Sequence, residues 1–271
     1  MDTIDFNQTL PSGITFMLQA GGFLAVSVFL VMFIVVKKRW KGRVTPFFLG
    51  LTVFAFVRIF VMLTESALAL IPSIDVAFSY NPIALTIVDC LLCAVGYIAG
   101  RIVLCKVLAE RFETKGDIYL GGLGLGFGDA LLYGFTVVSY FVWCIGIEGS
   151  GLEAALSEIS GEELVATYQS ISDLFVAPVV LWLFMGVSTV IDMILQMAFM
   201  TVTFGIEKKE LPSMFHGICF VINVVSVIIF QIYDINSITS IAILFAVKLM
   251  IFAVVVYYIF NVVGKKVQYE E

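Results

Sequence analysis

Charged residues are scarce in this chain, and histidine is almost absent. Of the 271 residues, 13% are charged, one is a histidine and 61% are hydrophobic. Soluble domains carry about 25% charged residues, so this composition excludes an ordinary soluble protein and is typical of a polytopic integral membrane protein. The longest polar segment, residues 148–173, is too short to hold a core of its own. We therefore predict a single all-α transmembrane domain over residues 1–271, with 148–173 as an acidic, solvated extracytoplasmic loop.

Basic residues are missing from the start of the chain, where no Lys or Arg precedes Lys37. A cleavable signal peptide begins with a basic region, so the first apolar run is predicted to be retained as a span.

The five cysteines all fall in apolar runs. Cys90 and Cys93 form a Cys-x-x-Cys pair, which we interpret as two small apolar side chains rather than a disulfide or a zinc pair. The net charge of −6 arises mainly from the acidic loop, and no nucleic-acid partner is expected.

Seven apolar runs have the length of about 20 residues that crosses the hydrocarbon core of a bilayer. They cover residues 13–36, 45–70, 83–109, 118–147, 174–206, 211–232 and 237–263. Basic residues lie in the connections on one side, at 37–43, 111–115, 208–209 and 265–266, whereas Asp75, Asp234 and the acidic loop lie on the other. Because short cytoplasmic loops are enriched in Lys and Arg, the pattern predicts an extracytoplasmic N-terminus and a cytoplasmic C-terminus. We expect the lipid bilayer of a bacterial or archaeal plasma membrane as the environment.

Four charged residues fall near the middle of predicted spans: Arg58, Asp129, Asp192 and Lys248. At 1.5 Å per residue they lie about 18–22 Å from the cytoplasmic ends of their helices, hence at one level. Unpaired charges are costly in lipid, so we predict a polar centre in which the two bases neutralise the two acids, with the pairing left open. Such a centre could consist of ion pairs that only hold the helices together. Alternatively, it could form a hydrophilic site that binds a peptide or an ion or carries out catalysis.

Two kinds of catalysis are weighed for this centre. His216, one turn into the sixth span, could bind zinc together with Asp129 or Asp192, although one histidine with scattered carboxylates is a poor zinc signature and no cofactor is expected. Gly126-Phe-Gly-Asp129 resembles the Gly-x-Gly-Asp motif of presenilin-like aspartyl proteases, and Asp129 with Asp192 would suit a carboxylate dyad. Those proteases place their first aspartate before this motif, whereas Tyr233-Asp234 follows it here. We interpret the match as chance in a glycine-rich run.

Small residues recur every fourth position in the fourth span: Gly122, Gly126, Ala130 and Gly134. This GxxxG spacing places four small side chains on one helical face. We predict that a neighbouring helix, from this chain or from a partner or substrate protein, packs there at nearly backbone distance.

Three stretches carry a resemblance to a known family. Pro46-Phe-Phe-Leu-Gly50 with Phe54 resembles the opening of that family's second span, and Glu110-Arg111 resembles the approach to its fourth. His216 stands where its sixth span has a histidine. On these residues the chain resembles the YhfC group of intramembrane metalloproteases. More distantly, Gly124-Leu-Gly-Phe-Gly128 is similar to the Gly-Leu-Ser-Phe-Gly of the seven-span Aph subunit of gamma-secretase.

The chain departs from this family at the metal-ligand positions. The fourth span of YhfC-like proteins reads approximately Gly-His-Gly-Gly-x-Glu, and the histidine and the acid correspond here to Phe127 and Leu131, which cannot bind a metal. The resemblance therefore implies a divergent, non-catalytic member of this fold that acts as a membrane scaffold or helix-binding subunit. Two alternatives stay open: an intramembrane metallopeptidase that uses His216 with Asp129 or Asp192, and a transporter or channel component lined by the four buried charges.

Overall fold

The computed structural model describes residues 4–111, 114–232 and 237–269, and these ranges are largely helical. The helices are α1 (Ile14–Arg39), α2 (Val44–Ala69), α3 (Pro72–Tyr80), α4 (Pro82–Ala109), α5 (Lys115–Ser150), α6 (Leu152–Ala155), α7 (Gly161–Ile171), α8 (Asp173–Val176), α9 (Val180–Glu207), α10 (Met214–Ile232) and α11 (Ile238–Tyr258). A π-helical turn, Ile259–Val263, continues α11.

Six of these helices are long and apolar enough to cross a membrane: α1, α2, α4, α5, α9, and α11 with its π-helical turn. They confirm the prediction of an all-α integral membrane protein. The predicted sixth span corresponds to α10, Met214–Ile232, which has 19 residues and is not among these six. Seven spans and the orientation of the termini stay predictions.

The centre of the bundle is the pair α5 and α9. Helix α1 contacts both of them, α2 packs on α5, and α4 packs on α2, α9 and α10, while α11 packs on α9. Every residue of 116–126 in α5 and of 195–205 in α9 is buried. Apolarity alone does not select these two helices, because α5 and α9 are the least apolar of the six spans. Their buried polar side chains are hydrogen-bonded within the bundle, as Asp117 is to Arg43 and Gln196 is to Arg101.

Glycines allow α5 to approach two neighbours closely. A Cβ atom at Gly122 would lie 2.6 Å from Met197 Cα of α9, and one at Gly126 would lie 2.7 Å from Met193 Cα. On a second face, a Cβ atom at Gly124 would overlap the Phe47 carbonyl oxygen of α2. The contact with α2 was not predicted. The four-residue spacing identifies one glycine-rich face of α5, whereas the helix has two such faces.

The predicted four-residue stripe ends before Gly134. Ala130 is buried in the same cluster as Met193, but in the described part of the chain no atom lies within 4 Å of a Cβ placed at Gly134. In this half of the bundle α1 inserts between α5 and α9: Gly21 lies against the Trp182 carbonyl oxygen of α9 and the Tyr133 hydroxyl of α5. Because α1 lies between the two helices here, α9 does not pack against α5 as far along the small-residue stripe as Gly134.

The segment 148–173, predicted to be an acidic, solvated loop, contains short helices. The segment contains α6, α7 and the start of α8. Three of its apolar side chains are buried over the ends of α1 and α5: Leu152, Leu156 and Ile171, with Leu174 just beyond. The apolar residues between the acids lie on one side of the segment. This side can be buried against the bundle, so the segment needs no core of its own. We call this the acidic end of the bundle.

The basic segments meet at the opposite end. Arg43 donates to Asp117 Oδ2 from Nε (3.1 Å) and Nη2 (2.7 Å), which fastens the connection between α1 and α2 to the start of α5. The Lys115 ammonium lies 5.8 Å from the Tyr269 ring centroid, and burial raises the pKa of the Tyr269 hydroxyl to about 12. We call this the basic end.

The two ends give a direct test of orientation. All five native cysteines are buried, so a cysteine introduced at an exposed site can be labelled over a low background. In intact cells, a membrane-impermeant maleimide should label Glu162→Cys at the acidic end, and should label Lys265→Cys at the basic end only after lysis. The opposite pattern would reverse the predicted orientation.

Candidate functional site: paired charges inside the bundle

Arg58 and Asp129 form an ion pair between α2 and α5. Arg58 Nη2 lies 2.7 Å from Asp129 Oδ1, and the Tyr97 hydroxyl of α4 donates to Asp129 Oδ2 at 2.6 Å. Arg58 Nη1 also lies 3.4 Å from the Cys93 Sγ atom of α4. Three helices are therefore joined at one carboxylate, and both of its oxygens accept a hydrogen bond.

Lys248 and Asp192 form a second pair that joins α9, α10 and α11. Lys248 Nζ lies 2.8 Å from Asp192 Oδ2 and donates to Ser188 Oγ. The Ser226 hydroxyl of α10 donates to Asp192 Oδ1 at 3.3 Å. As at Asp129, both carboxylate oxygens accept a hydrogen bond.

The structure thus brings the four predicted charges together as two separate pairs. An aspartate dyad requires two carboxylates that share one proton. Here Asp129 and Asp192 each have their own cation, on α2 and α11 respectively. This geometry suits ion pairs between helices better than proton sharing. Tyr233-Asp234 lies outside the described residues.

His216 is not part of this polar centre, so the predicted metal site with Asp129 or Asp192 is not assembled. His216 lies ten residues before Ser226 on α10, which is about 15 Å along the helix, and Ser226 is the residue that contacts Asp192. The charges that act on His216 are those of Arg101 and Glu207. Within residues 4–111, 114–232 and 237–269, no three His, Cys, Asp or Glu side chains are close enough to hold a metal ion. These residues do not fit zinc.

The two positions that correspond to metal ligands in YhfC-like proteins face away from the ion pairs. The Phe127 ring stacks on the Phe29 ring of α1, with centroids 3.8 Å apart, and Leu131 is exposed on the surface of the bundle. A histidine and an acid at these positions would therefore point toward α1 and toward lipid.

A stripe of polar residues on α4 was missed as a unit, although its spacing is visible in the sequence. Asp89, Cys93, Tyr97 and Arg101 recur every fourth residue and therefore share one helical face. The Cys93 thiol contacts Asp89 Oδ1 at 3.5 Å, Tyr97 contacts Asp129, and Arg101 contacts Gln196 of α9. We call these four residues the α4 stripe; it extends from the acidic end to the level below the ion pairs.

The ion pairs are partly open rather than sealed. The side chains of Arg58 and Asp129 are 37% and 24% exposed, and that of Asp192 is 28% exposed. Charges at this depth are tolerated in a membrane only where they face protein or a water-filled cavity. The exposed edges of these charged side chains are not covered by the described part of the chain.

Comparison with protein-family models, with curated proteins and with solved structures finds no match to this chain. The resemblance to the YhfC and Aph families therefore stays a prediction that rests on short motifs.

Proposed function

We propose that this protein is a non-catalytic membrane scaffold that binds a transmembrane helix of a partner protein. The observation that carries the proposal is the partly exposed Arg58–Asp129 pair in the middle of the spans. A charge left against hydrocarbon costs several kcal/mol, whereas a polar side chain on a neighbouring helix satisfies it by hydrogen bonding. A partner helix with a polar residue at mid-depth is therefore the cover that this pair requires.

The hydrogen bonds of the two acids support a structural role. All four carboxylate oxygens of Asp129 and Asp192 accept from another side chain. A general base must present a carboxylate oxygen to the proton it removes, and a metal ligand must present one to the ion. Held in this way, the acids favour the joining of helices over the activation of water.

Crosslinking within the membrane tests this function. Met62 and Leu132 are exposed and lie one helical turn from Arg58 and Asp129, respectively. A photoreactive side chain at either position should give a discrete protein adduct in cells, because a bound partner helix would cover this surface. The matched control is Phe23, which is also exposed but lies on α1, and it should yield no discrete adduct. Failure to form a protein adduct at both Met62 and Leu132 would contradict the proposal.

The α4 stripe favours a second candidate, a transport path for a cation or a proton. Its ionisable groups run from Asp89 to Tyr97 and reach Asp129, which could relay charge through the bundle. Flux into proteoliposomes that Asp129→Asn abolishes without a change in melting temperature would replace the scaffold by this function. Absence of flux in the wild type leaves the scaffold as the better account.

A further inference from the structure

A groove of about 460 Å³ lies between α1, α5, α9 and the π-helical turn. Most of its wall is apolar, with Val28, Met32 and Ile194 among the lining side chains. Its volume lies in the range of small-molecule sites. Val31 and Val35 line the groove and are also exposed, so the groove opens on the outer surface of the bundle, where lipid is expected. We call it the α1 groove.

The α1 groove has one polar end. Three of its lining side chains carry N–H or O–H donors: Trp40, Lys115 and Tyr119. These three lie together, because the Trp40 and Tyr119 ring centroids are 5.2 Å apart and Lys115 Nζ lies 5.6 Å from the Tyr119 centroid. Trp and Tyr are enriched where spans cross the membrane–water interface. The donors therefore lie at the interface of the basic end.

The apolar part of the α1 groove extends from this end toward the middle of the membrane. On α1 the lining residues run from Trp40 back to Val28, which is about 18 Å along the helix. On α9, Ile194 lies thirteen residues before the helix end at Glu207, or about 20 Å. One leaflet fills half of the hydrocarbon core, about 15 Å. The groove thus has the length of an acyl chain in a single leaflet.

The polar end of the α1 groove is positively charged. Lys115 is half-buried, and in the described part of the chain no carboxylate forms an ion pair with it. Asp117, two residues further along α5, is already bound by Arg43. The segment 37–43, which includes Trp40, adds further cations and no acid. An occupant with an anionic group at this end and an apolar chain beyond it would match both the charge and the wall.

We propose that the α1 groove is a binding site for an anionic phospholipid of the leaflet at the basic end. The Lys115 ammonium binds the phosphate, and one acyl chain lies along α1. A soluble anion would leave the apolar wall uncovered, whereas a zwitterionic lipid would place its own cation beside Lys115. Basic pockets between spans on the cytoplasmic side bind anionic headgroups, and the predicted orientation places the basic end there. The site does not depend on the scaffold function.

Native mass spectrometry of the purified full chain tests the headgroup. In a mixture of phosphatidylglycerol and phosphatidylcholine with identical acyl chains, the wild type should retain phosphatidylglycerol. Lys115→Met should weaken this binding roughly five- to tenfold, since a lysine near an anionic membrane surface contributes about 1 kcal/mol. Lys115→Arg should retain it. Lys265→Met removes the same charge from the exposed tail and is the matched control, which should bind as the wild type does.

Equal retention of the two lipids by the wild type would overturn the proposal, as would equal binding by Lys115→Met and Lys265→Met. Glycerol phosphate, which has the charge without the chains, should not displace phosphatidylglycerol. Displacement at similar concentrations would assign the site to a water-soluble phosphate and overturn the lipid assignment.

A second pair of variants tests the apolar wall without altering Lys115. Val31 lines the groove, whereas Val26 is exposed on α1 outside its wall. Val31→Trp should therefore reduce phosphatidylglycerol binding, and Val26→Trp should not. Unchanged binding in Val31→Trp would overturn the proposal. A photoreactive side chain at Val31 should form lipid adducts in cells; a discrete protein adduct there would assign the groove to a partner helix instead.

Discussion

Replacing Lys248 with methionine should lower the free energy of unfolding by about 3 kcal/mol, because it leaves the Asp192 carboxylate in the bundle without its cation. Lys248 Nζ lies 2.8 Å from Asp192 Oδ2, and the lysine side chain is buried while that of Asp192 is 28% exposed. The partial exposure of Asp192 places the expected loss at the lower end of the range for broken buried pairs. Reversible unfolding in mixed micelles, followed by loss of helical signal, measures the change.

The double variant Lys248→Met with Asp192→Leu is the matched control. Replacing both charges by apolar side chains removes the unpaired carboxylate and should recover most of the stability lost in the single variant. Lys265→Met removes a lysine from the exposed tail at the basic end and should leave stability unchanged. If Lys248→Met costs no more than Lys265→Met, the Asp192 pair does not stabilise the fold.

Gly124→Ala and Gly134→Ala should change stability in opposite directions, although they make the same chemical change ten residues apart on α5. At Gly124 a methyl group would overlap the Phe47 carbonyl oxygen, which is backbone and cannot rotate away as a side chain would. Overpacking of this kind costs about 1–3 kcal/mol or more. At Gly134 the space in the described chain is open, and alanine is favoured over glycine in a helix by about 1 kcal/mol.

The melting temperature and the yield of monodisperse protein measure the difference between the two variants. We expect Gly124→Ala to lose both and Gly134→Ala to retain or improve them. Equal destabilisation would mean that Gly134 also lies in a tight contact, made by a second molecule or by residues outside the described ranges. Equal tolerance would mean that α2 and α5 can separate at Gly124 without loss.

The long helices were predictable because the length of an apolar run decides whether it can span a bilayer. The predicted runs 13–36 and 83–109 differ from α1 and α4 by only a few residues. The partners of Asp129 and Asp192 were not predictable, since depth places all four charges at one level and only the lateral arrangement of the helices selects Arg58 for one acid and Lys248 for the other.

Other parts of the site depend on residues that share a helical face or on contacts between helices, which single residues do not reveal. The α4 stripe was treated as isolated charges, although Asp89 and Arg101 are separated by three steps of four residues. His216 was considered as a zinc ligand together with Asp192 although it lies only one turn into its span, and the levels of the two residues differ by about 15 Å. The burial of Leu152 and Ile171 in the acidic loop depends on the ends of α1 and α5, which local sequence does not specify.

The Arg58–Asp129 pair also bears on how the chain enters the membrane. Asp129 follows Arg58 by 71 residues, so at 5–20 residues per second the ribosome completes the acid roughly 4 to 14 s after the arginine. During this interval α2 carries a guanidinium at mid-depth before the carboxylate that pairs with it in the fold has been made. We therefore expect α2 to stay in a hydrated or protein-lined place until α5 emerges.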